Sequence, residues 1–231
     1  MKIGGLQKLT LIDFPGKVAC TVFLSGCNFR CPFCYSPELV LPEIIKEHPA
    51  IPEKDFFDFL KERKNLLEGV TICGGEPSGE KSLPSFIKKI KKMGFFVKLD
   101  TNGSNPEMLA KLIENKLIDY VAMDIKGPKE KYGLIAGAKV DLEKIQKSIN
   151  ILKEGKVDYE FRSTVVPSLH TKEDIIEMAK WIGGAKKYFL QNFRPEKTID
   201  KKFEKIKPYP EEFLKEIQKE ISLFFEVCQI R

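Results

Sequence analysis

The 231-residue chain is 42% hydrophobic and 31% charged, an ordinary globular composition with enough length for a full core. Its net charge of +6 comes mainly from lysine, spread as pairs at 88–89, 91–92, 186–187 and 201–202 beside apolar residues. Solvated helix faces explain that spread, and the clustered basic and aromatic surface of a nucleic-acid binder is absent.

No apolar run approaches the roughly 20 residues needed to cross a membrane. The N-terminal stretch lacks the apolar core and cleavage site of a signal peptide, so a cytoplasmic location is expected. Residues 17–25 (KVACTVFLS) are a continuous apolar run, as in a strand buried on both faces. A helix is predicted over 53–65, with Phe56, Phe57 and Leu60 among charges. Strand signals follow at 70–75, 95–103, 118–127, 157–166 and 187–193. Helical patterns at 82–93, Pro106 to about Asn115, 141–154, 171–182 and 210–226 alternate with them. Pro106 suits a first helical turn, and Gly94, Gly155 and Gly183 suit helix ends.

The pattern makes six strand–helix units, which right-handed crossovers would join into a parallel sheet. No linker or repeat interrupts it, so residues 1–231 are expected to form one domain. Six units are too few for an eight-stranded barrel. Polar motifs fall at the ends of several strands, whereas a doubly wound sheet gathers its site at one crevice. The pattern therefore favours an α/β partial barrel.

The stretch GCNFRCPFCY places Cys27, Cys31 and Cys34 in a loop after the first strand, with no fourth cysteine nearby in sequence. Spacings of this kind commonly hold iron–sulfur clusters. Gly26 lets the backbone turn, and Pro32 stiffens the loop. Three thiolates on a [4Fe-4S] cluster leave one iron open, which a small ligand bearing an amine and a carboxylate could chelate. A zinc site would have to recruit Cys20, Cys73 or a histidine, and zinc motifs usually pair two short spacings where only one exists here. Cys20, Cys73 and Cys228 read as packing thiols.

Further on, Gly74-Gly75-Glu76-Pro77 is by itself an ordinary strand-to-helix turn, although Glu76 could accept from a ligand ammonium. Asp100-Thr101-Asn102-Gly103 and Asp124-Ile125-Lys126-Gly127 likewise read as turns, yet together they make a polar rim. Arg162 lies inside a strand-like run, so it must be paired or line a wet cavity. Gln191 and Arg194 are expected to line that cavity too. His170 could contact a ligand, but a cap or surface role is at least as good a reading. His48 lies in a polar loop and needs no special role.

The C-x-x-x-C-x-aromatic-C loop, followed in order by GGEP, LDTNG and MDIK, resembles the radical S-adenosylmethionine (SAM) superfamily over most of the chain. By that resemblance the fold is a six-unit partial (β/α) barrel of the TIM-like, radical SAM type. Cys27, Cys31 and Cys34 would ligate a [4Fe-4S] cluster whose open iron binds the amino and carboxylate groups of SAM. Reductive cleavage would give methionine and a 5′-deoxyadenosyl radical that abstracts hydrogen. Gly74, Gly75, Glu76 and Pro77 match the motif that holds the SAM amino group. Asp100, Asp124 and Lys126 would surround its carboxylate and ribose, with Asn102, Arg162 and Gln191 as further cofactor contacts. Phe33 would support the adenine and Tyr35 would meet it through its backbone; the family often has histidine at that second position. The acidic pair could also hold a monovalent cation.

There is no second cysteine cluster, which excludes auxiliary iron–sulfur clusters. The runs GLQKLTLIDFPGKVACTVFLSGCNFRCPFCYSPELV, EFRSTVVP and LQNFRP resemble the activating proteins of anaerobic ribonucleoside-triphosphate reductase. That resemblance implies a glycine Cα–H of a glycyl radical enzyme as substrate, with flavodoxin or ferredoxin as electron donor. Three rivals stand beside it: activation of a pyruvate formate-lyase type enzyme, small-molecule chemistry as in deazaguanine synthesis, and a non-catalytic metal module. The polar rim argues against the last.

Overall fold

All eight strands of the computed structural model, which describes residues 1–231, belong to one sheet. They are β1 (Ile3–Thr10), β2 (Ala19–Leu24), β3 (Gly69–Gly74), β4 (Phe96–Thr101), β5 (Tyr120–Asp124), β6 (Asp158–Val165), β7 (Lys187–Asn192) and β8 (Val227–Ile230). Their order in space follows their order in sequence. β1 runs antiparallel to β2, and every later pair is parallel. Helices α1 (Pro37–Val40), α2 (Pro42–Glu47) and α3 (Glu53–Glu62) connect β2 to β3. Single helices α4 (Leu83–Lys92) and α5 (Pro106–Glu114) make the next two crossovers. α6 (Tyr132–Ala136) and α7 (Leu142–Lys153) lead to β6, α8 (Lys172–Trp181) to β7, and α9 (Glu211–Ile221) to β8. The strand order never reverses, which rules out double winding, and β1 does not pair with β8. The result is an α/β fold with an open sheet, a partial barrel.

The six predicted units are β2 to β7 with their helices. The two edge strands were not anticipated. β1 carries Gly4 and Gly5, which weaken a strand signal, and β8 is only four residues long. The last helix was expected to run to 226, but α9 stops at Ile221 and a short 3₁₀ turn leads into β8. At the end of α8 the left-handed residue is Gly184, not Gly183.

Within β3 to β6 the side chains alternate in kind, because successive residues point to opposite faces. Val70, Ile72, Val97, Leu99, Val121, Met123, Tyr159 and Phe161 face the helices and belong to the main apolar core. The alternate positions, Thr71, Cys73, Lys98, Asp100, Tyr120, Asp124, Glu160 and Arg162, face the barrel interior. Both faces are buried, but only one is apolar. A small separate cluster of Phe14, Ala19 and Tyr120 lies at the N-terminal end of the strands.

Two polar ties hold this interior. Glu160 is 1% exposed, and its carboxylate accepts from Tyr120 Oη at 2.9 Å and from two nitrogens of Arg231 at 2.8 and 3.1 Å. The Arg231 guanidinium lies 3.4 Å over the Phe189 ring and joins the open side of the sheet to β6. His170 is also buried, which corrects the cap-or-ligand expectation. Its Nδ1 accepts from Val166 N–H at 3.1 Å, and its Nε2–H donates to the Lys126 carbonyl at 2.8 Å. His48 bonds the Gly4 carbonyl at 2.8 Å and ties α2 to β1.

Arg231 is partly exposed, but removing it leaves the buried Glu160 carboxylate without its cation. Arg231→Met should therefore cost about 1–2 kcal/mol in urea unfolding, and adding Glu160→Gln in the same chain should return part of the loss. Burial holds the His170 pKa below its ordinary 6.5. Between those two values the unfolded chain binds more protons, so this contribution is complete above the unfolded pKa and is lost as pH falls below it. Urea midpoints measured from pH 7.5 downward should drop more steeply in the wild type than in His170→Gln.

Candidate active site

The C-terminal ends of β2 to β6 open into one cleft of about 840 Å³ including its mouth. Cys27, Cys31 and Cys34 form one wall with Phe33 and Tyr35. Gly74, Gly75, Glu76, Asp100, Asn102, Asp124, Lys126 and Arg162 line the rest of the cleft. Three residues expected at the site stand outside it. Pro77 is buried as the first residue of a 3₁₀ turn behind Glu76, where its ring fixes the turn. Gln191 lies beside Thr164 in the β6–β7 register, and Thr164 is the residue that reaches the cleft on that side. Arg194 is exposed and outside the lining as well.

Backbone hydrogen bonds to three other segments fix the cysteine loop. Gly26 N–H donates to the Leu39 carbonyl at 2.7 Å, and Arg30 N–H to the Ala136 carbonyl at 2.8 Å. Asp200 N–H and Ile199 N–H donate to the carbonyls of Pro32 and Cys34, at 2.9 and 3.2 Å. The Arg30 guanidinium bonds the carbonyls of Cys27 and Phe29 at 2.6 and 2.7 Å. The Tyr35 ring stacks on Phe193 with centroids 6.0 Å apart, and its hydroxyl accepts from Arg194 N–H at 2.7 Å. The bracing segment at 194–200 carried no recognisable signal in the sequence, because its contacts use backbone atoms.

Gly74 and Gly75 answer to the same packing. A Cβ on Gly74, whose φ is +122°, would strike the Leu24 backbone, and one on Gly75 would strike the Gly26 carbonyl. Gly75 N–H donates to the Leu24 carbonyl at 2.8 Å, and Glu76 N–H to the Gly26 carbonyl at 2.7 Å. The paired glycines thus let the third strand's end dock against the cysteine loop.

Beyond them, the buried Glu76 carboxylate accepts from Ser78 N–H (3.0 Å), Thr101 Oγ1–H (2.7 Å) and Asn102 N–H (2.6 Å). Burial pushes its carboxyl pKa up against those three bonds. Two carboxylate oxygens offer about four acceptor positions, so one remains for a ligand donor. Asn102 Nδ2–H donates to Asn28 Oδ1 at 2.9 Å and ties the LDTNG turn to the cysteine loop.

Opposite the thiols, the Arg162 guanidinium donates to Asp100 at 2.9 Å and to Asp124 at 3.0 Å. Lys98 also pairs with Asp100, and Lys126 pairs with Asp124 at 3.1 Å. Burial alone would raise both carboxyls. The adjacent cations outweigh it, holding Asp100 below its usual range and Asp124 down at about 2. Asp124 keeps Lys126 charged in spite of burial.

Burial pushes the Cys27 thiol up to about 12 and Cys31 to about 11, and raises Cys34 as well. As free thiols they stay protonated, and a bound metal must displace those protons. Three thiols on one wall suit the donor set of an iron–sulfur cluster with one iron left free. Cys73 lines the cleft beside Asp100 and Arg162, correcting its reading as a packing thiol; its place on the interior face of β3 was the signal. Cys20 is fully buried in the core, as expected.

No helix is long and apolar enough to cross a membrane. The chain is similar to known proteins throughout. A Methanocaldococcus jannaschii protein provisionally named a glycyl-radical enzyme activating enzyme is 35% identical over 99% of this chain and 95% of its own. The pyruvate formate-lyase-activating enzyme of Clostridium pasteurianum is 28% identical over 89% of this chain and 86% of its own. Among solved structures, SuiB of Streptococcus suis superposes with a TM-score of 0.66 at 18% identity, a likeness of fold. It covers 90% of this chain, which spans about half of SuiB (48%). The sequence model of the Radical SAM superfamily matches residues 21–182, from the second strand through the eighth helix, and the chain belongs to that superfamily.

Proposed function

We propose that this chain, acting as one unit over residues 1–231, is a glycyl-radical activating enzyme whose partner is an anaerobic ribonucleoside-triphosphate reductase. One observation carries the chemistry: the three thiols and the charged strand ends face each other across a single open cleft. Cys27, Cys31 and Cys34 would hold a [4Fe-4S] cluster through three irons. SuiB, of the same fold, has been seen with SAM and with a precursor peptide. Held there and reduced by one electron from a flavodoxin or ferredoxin, such a cluster would supply the electron for reductive cleavage of SAM to methionine and an adenosyl radical that would take a hydrogen from a glycine Cα.

The chain's own residues orient that event. Glu76 offers its remaining acceptor position to the SAM ammonium, while Gly74 and Gly75 hold it against the cysteine loop. Lys126 and Arg162, fixed by Asp124 and Asp100, present positive charge to the carboxylate. Asn102 secures the turn that carries this wall. Phe33 and Tyr35 give the adenine an apolar flank, with Tyr35 held by Phe193 and Arg194 N–H.

The partner reading rests on GLQKLTLIDFPGK, EFRSTVVP and LQNFRP, and on whole-length similarity to a provisionally named activating enzyme. Its test is isotopic. The anaerobically reconstituted chain is mixed with reductase grown on glycine deuterated at Cα, and 5′-deoxyadenosine is analysed by mass spectrometry. Deuterium in the product supports the reading. Product without deuterium, or product only with a formate-lyase partner, contradicts it.

Two substitutions probe the site. Cys31→Ala should lose the four-iron signal and SAM cleavage together, while Cys73→Ala should keep its iron content, as read by iron and sulfide analysis. Glu76→Gln removes a charged acceptor and should weaken SAM binding about 10–100-fold in equilibrium dialysis.

A further inference from the structure

The interior faces of β4, β5 and β6 leave the acidic pair no unspent oxygen. Asp100 Oδ1 holds Lys98 and its Oδ2 holds Arg162; Asp124 Oδ1 holds Arg162 and its Oδ2 holds Lys126. Three cationic side chains therefore meet two carboxylates, a surplus of one positive charge. A hard cation needs oxygen ligands whose negative charge is not already matched. Each of these four oxygens already accepts from a cationic side chain, and the two negative charges are outnumbered, so the pair has no unmatched charge to offer an alkali ion.

Lys98 is the residue that changes the balance. Its side chain is 1% exposed, it precedes Asp100 by two positions on the interior face of β4, and Asp100 is its one ionic partner. Burying an ammonium is costly unless a carboxylate compensates it. Methionine would fill a similar volume without that cost, so what the position supplies is the charge itself.

We propose that the Lys98 ammonium is a built-in replacement for a monovalent cation. It neutralises Asp100, excludes potassium and sodium, and leaves the wall one positive charge in surplus, which Lys126 and Arg162 present to the carboxylate of SAM; only this last part rests on the function proposed above.

The test compares potassium, sodium and choline chloride at one ionic strength. SAM affinity of the reconstituted wild type, by equilibrium dialysis, should be the same in all three, and so should the melting temperature of the cluster-free chain. Lys98→Met should bind SAM more weakly in choline and recover about 5-fold or more when potassium or sodium is added, the usual range of coupling between two ligands. A gain of that size in the wild type, or cation-specific stabilisation of the cluster-free wild type, overturns the inference. So does a Lys98→Met chain with wild-type affinity in every salt. Should Lys98→Met fail to fold, the wild-type salt comparisons decide alone. Failure to bind SAM in any salt would sink the proposed function instead, and the melting comparison would still decide whether the acidic pair takes a cation.

Discussion

Arg162 bridges Asp100 and Asp124, and the arrangement of three neighbouring strand ends depends on that one guanidinium. A charge largely buried on the interior face of a barrel has little water to rely on, so it must find partners at fixed distances. The planar fork of arginine can serve two carboxylates at once, which a lysine's point charge does less well. With Arg162 in place, Asp100 and Asp124 stay ionised, and Lys98 and Lys126 have partners. The result is a charged wall held rigid before any ligand arrives.

The facing wall is built on a different principle. The cysteine loop owes its shape to main-chain hydrogen bonds from α1, α6 and the segment after β7, and to the glycines that let β3 dock beneath it. Backbone bonds of this kind hold ligand-bearing residues in place without spending their side chains, which stay free to face the cleft. Preorganised groups need little rearrangement when they bind. A thiol side and an ionic side, tied to each other through Asn102–Asn28 and Glu76–Gly26, give the cleft two chemically distinct parts: one suited to a metal cluster, the other to an ammonium and a carboxylate.

Much of this was legible in the sequence. The six central strands and their helices follow from runs and periodicities strong enough to survive without tertiary context. The strand-end motifs pointed to one site because parallel strands bring all their C-terminal ends to one face. Less legible was anything that depends on which face of a strand looks inward. Lys98 and Glu160 are polar residues within strand-like runs, and only the alternation of the folded sheet shows them as buried and paired. Cys73 was misread for the same reason, since its neighbour Ile72 belongs to the core and Cys73 to the cleft. The imidazole of His170 bonds backbone atoms of its neighbours and the 194–200 brace uses its own, and backbone atoms carry no residue-type signature. β8 was hidden because four residues after a helix give no period to count.

Electron paramagnetic resonance of the partner protein tests the account most directly. The reconstituted chain, a reductant, SAM and the anaerobic ribonucleotide reductase are mixed without oxygen, with a pyruvate formate-lyase in a parallel sample. A glycyl doublet on the reductase that collapses to a singlet when its glycine carries deuterium at Cα is the predicted result. Cluster reduction and SAM cleavage with no glycyl signal on either protein would contradict it.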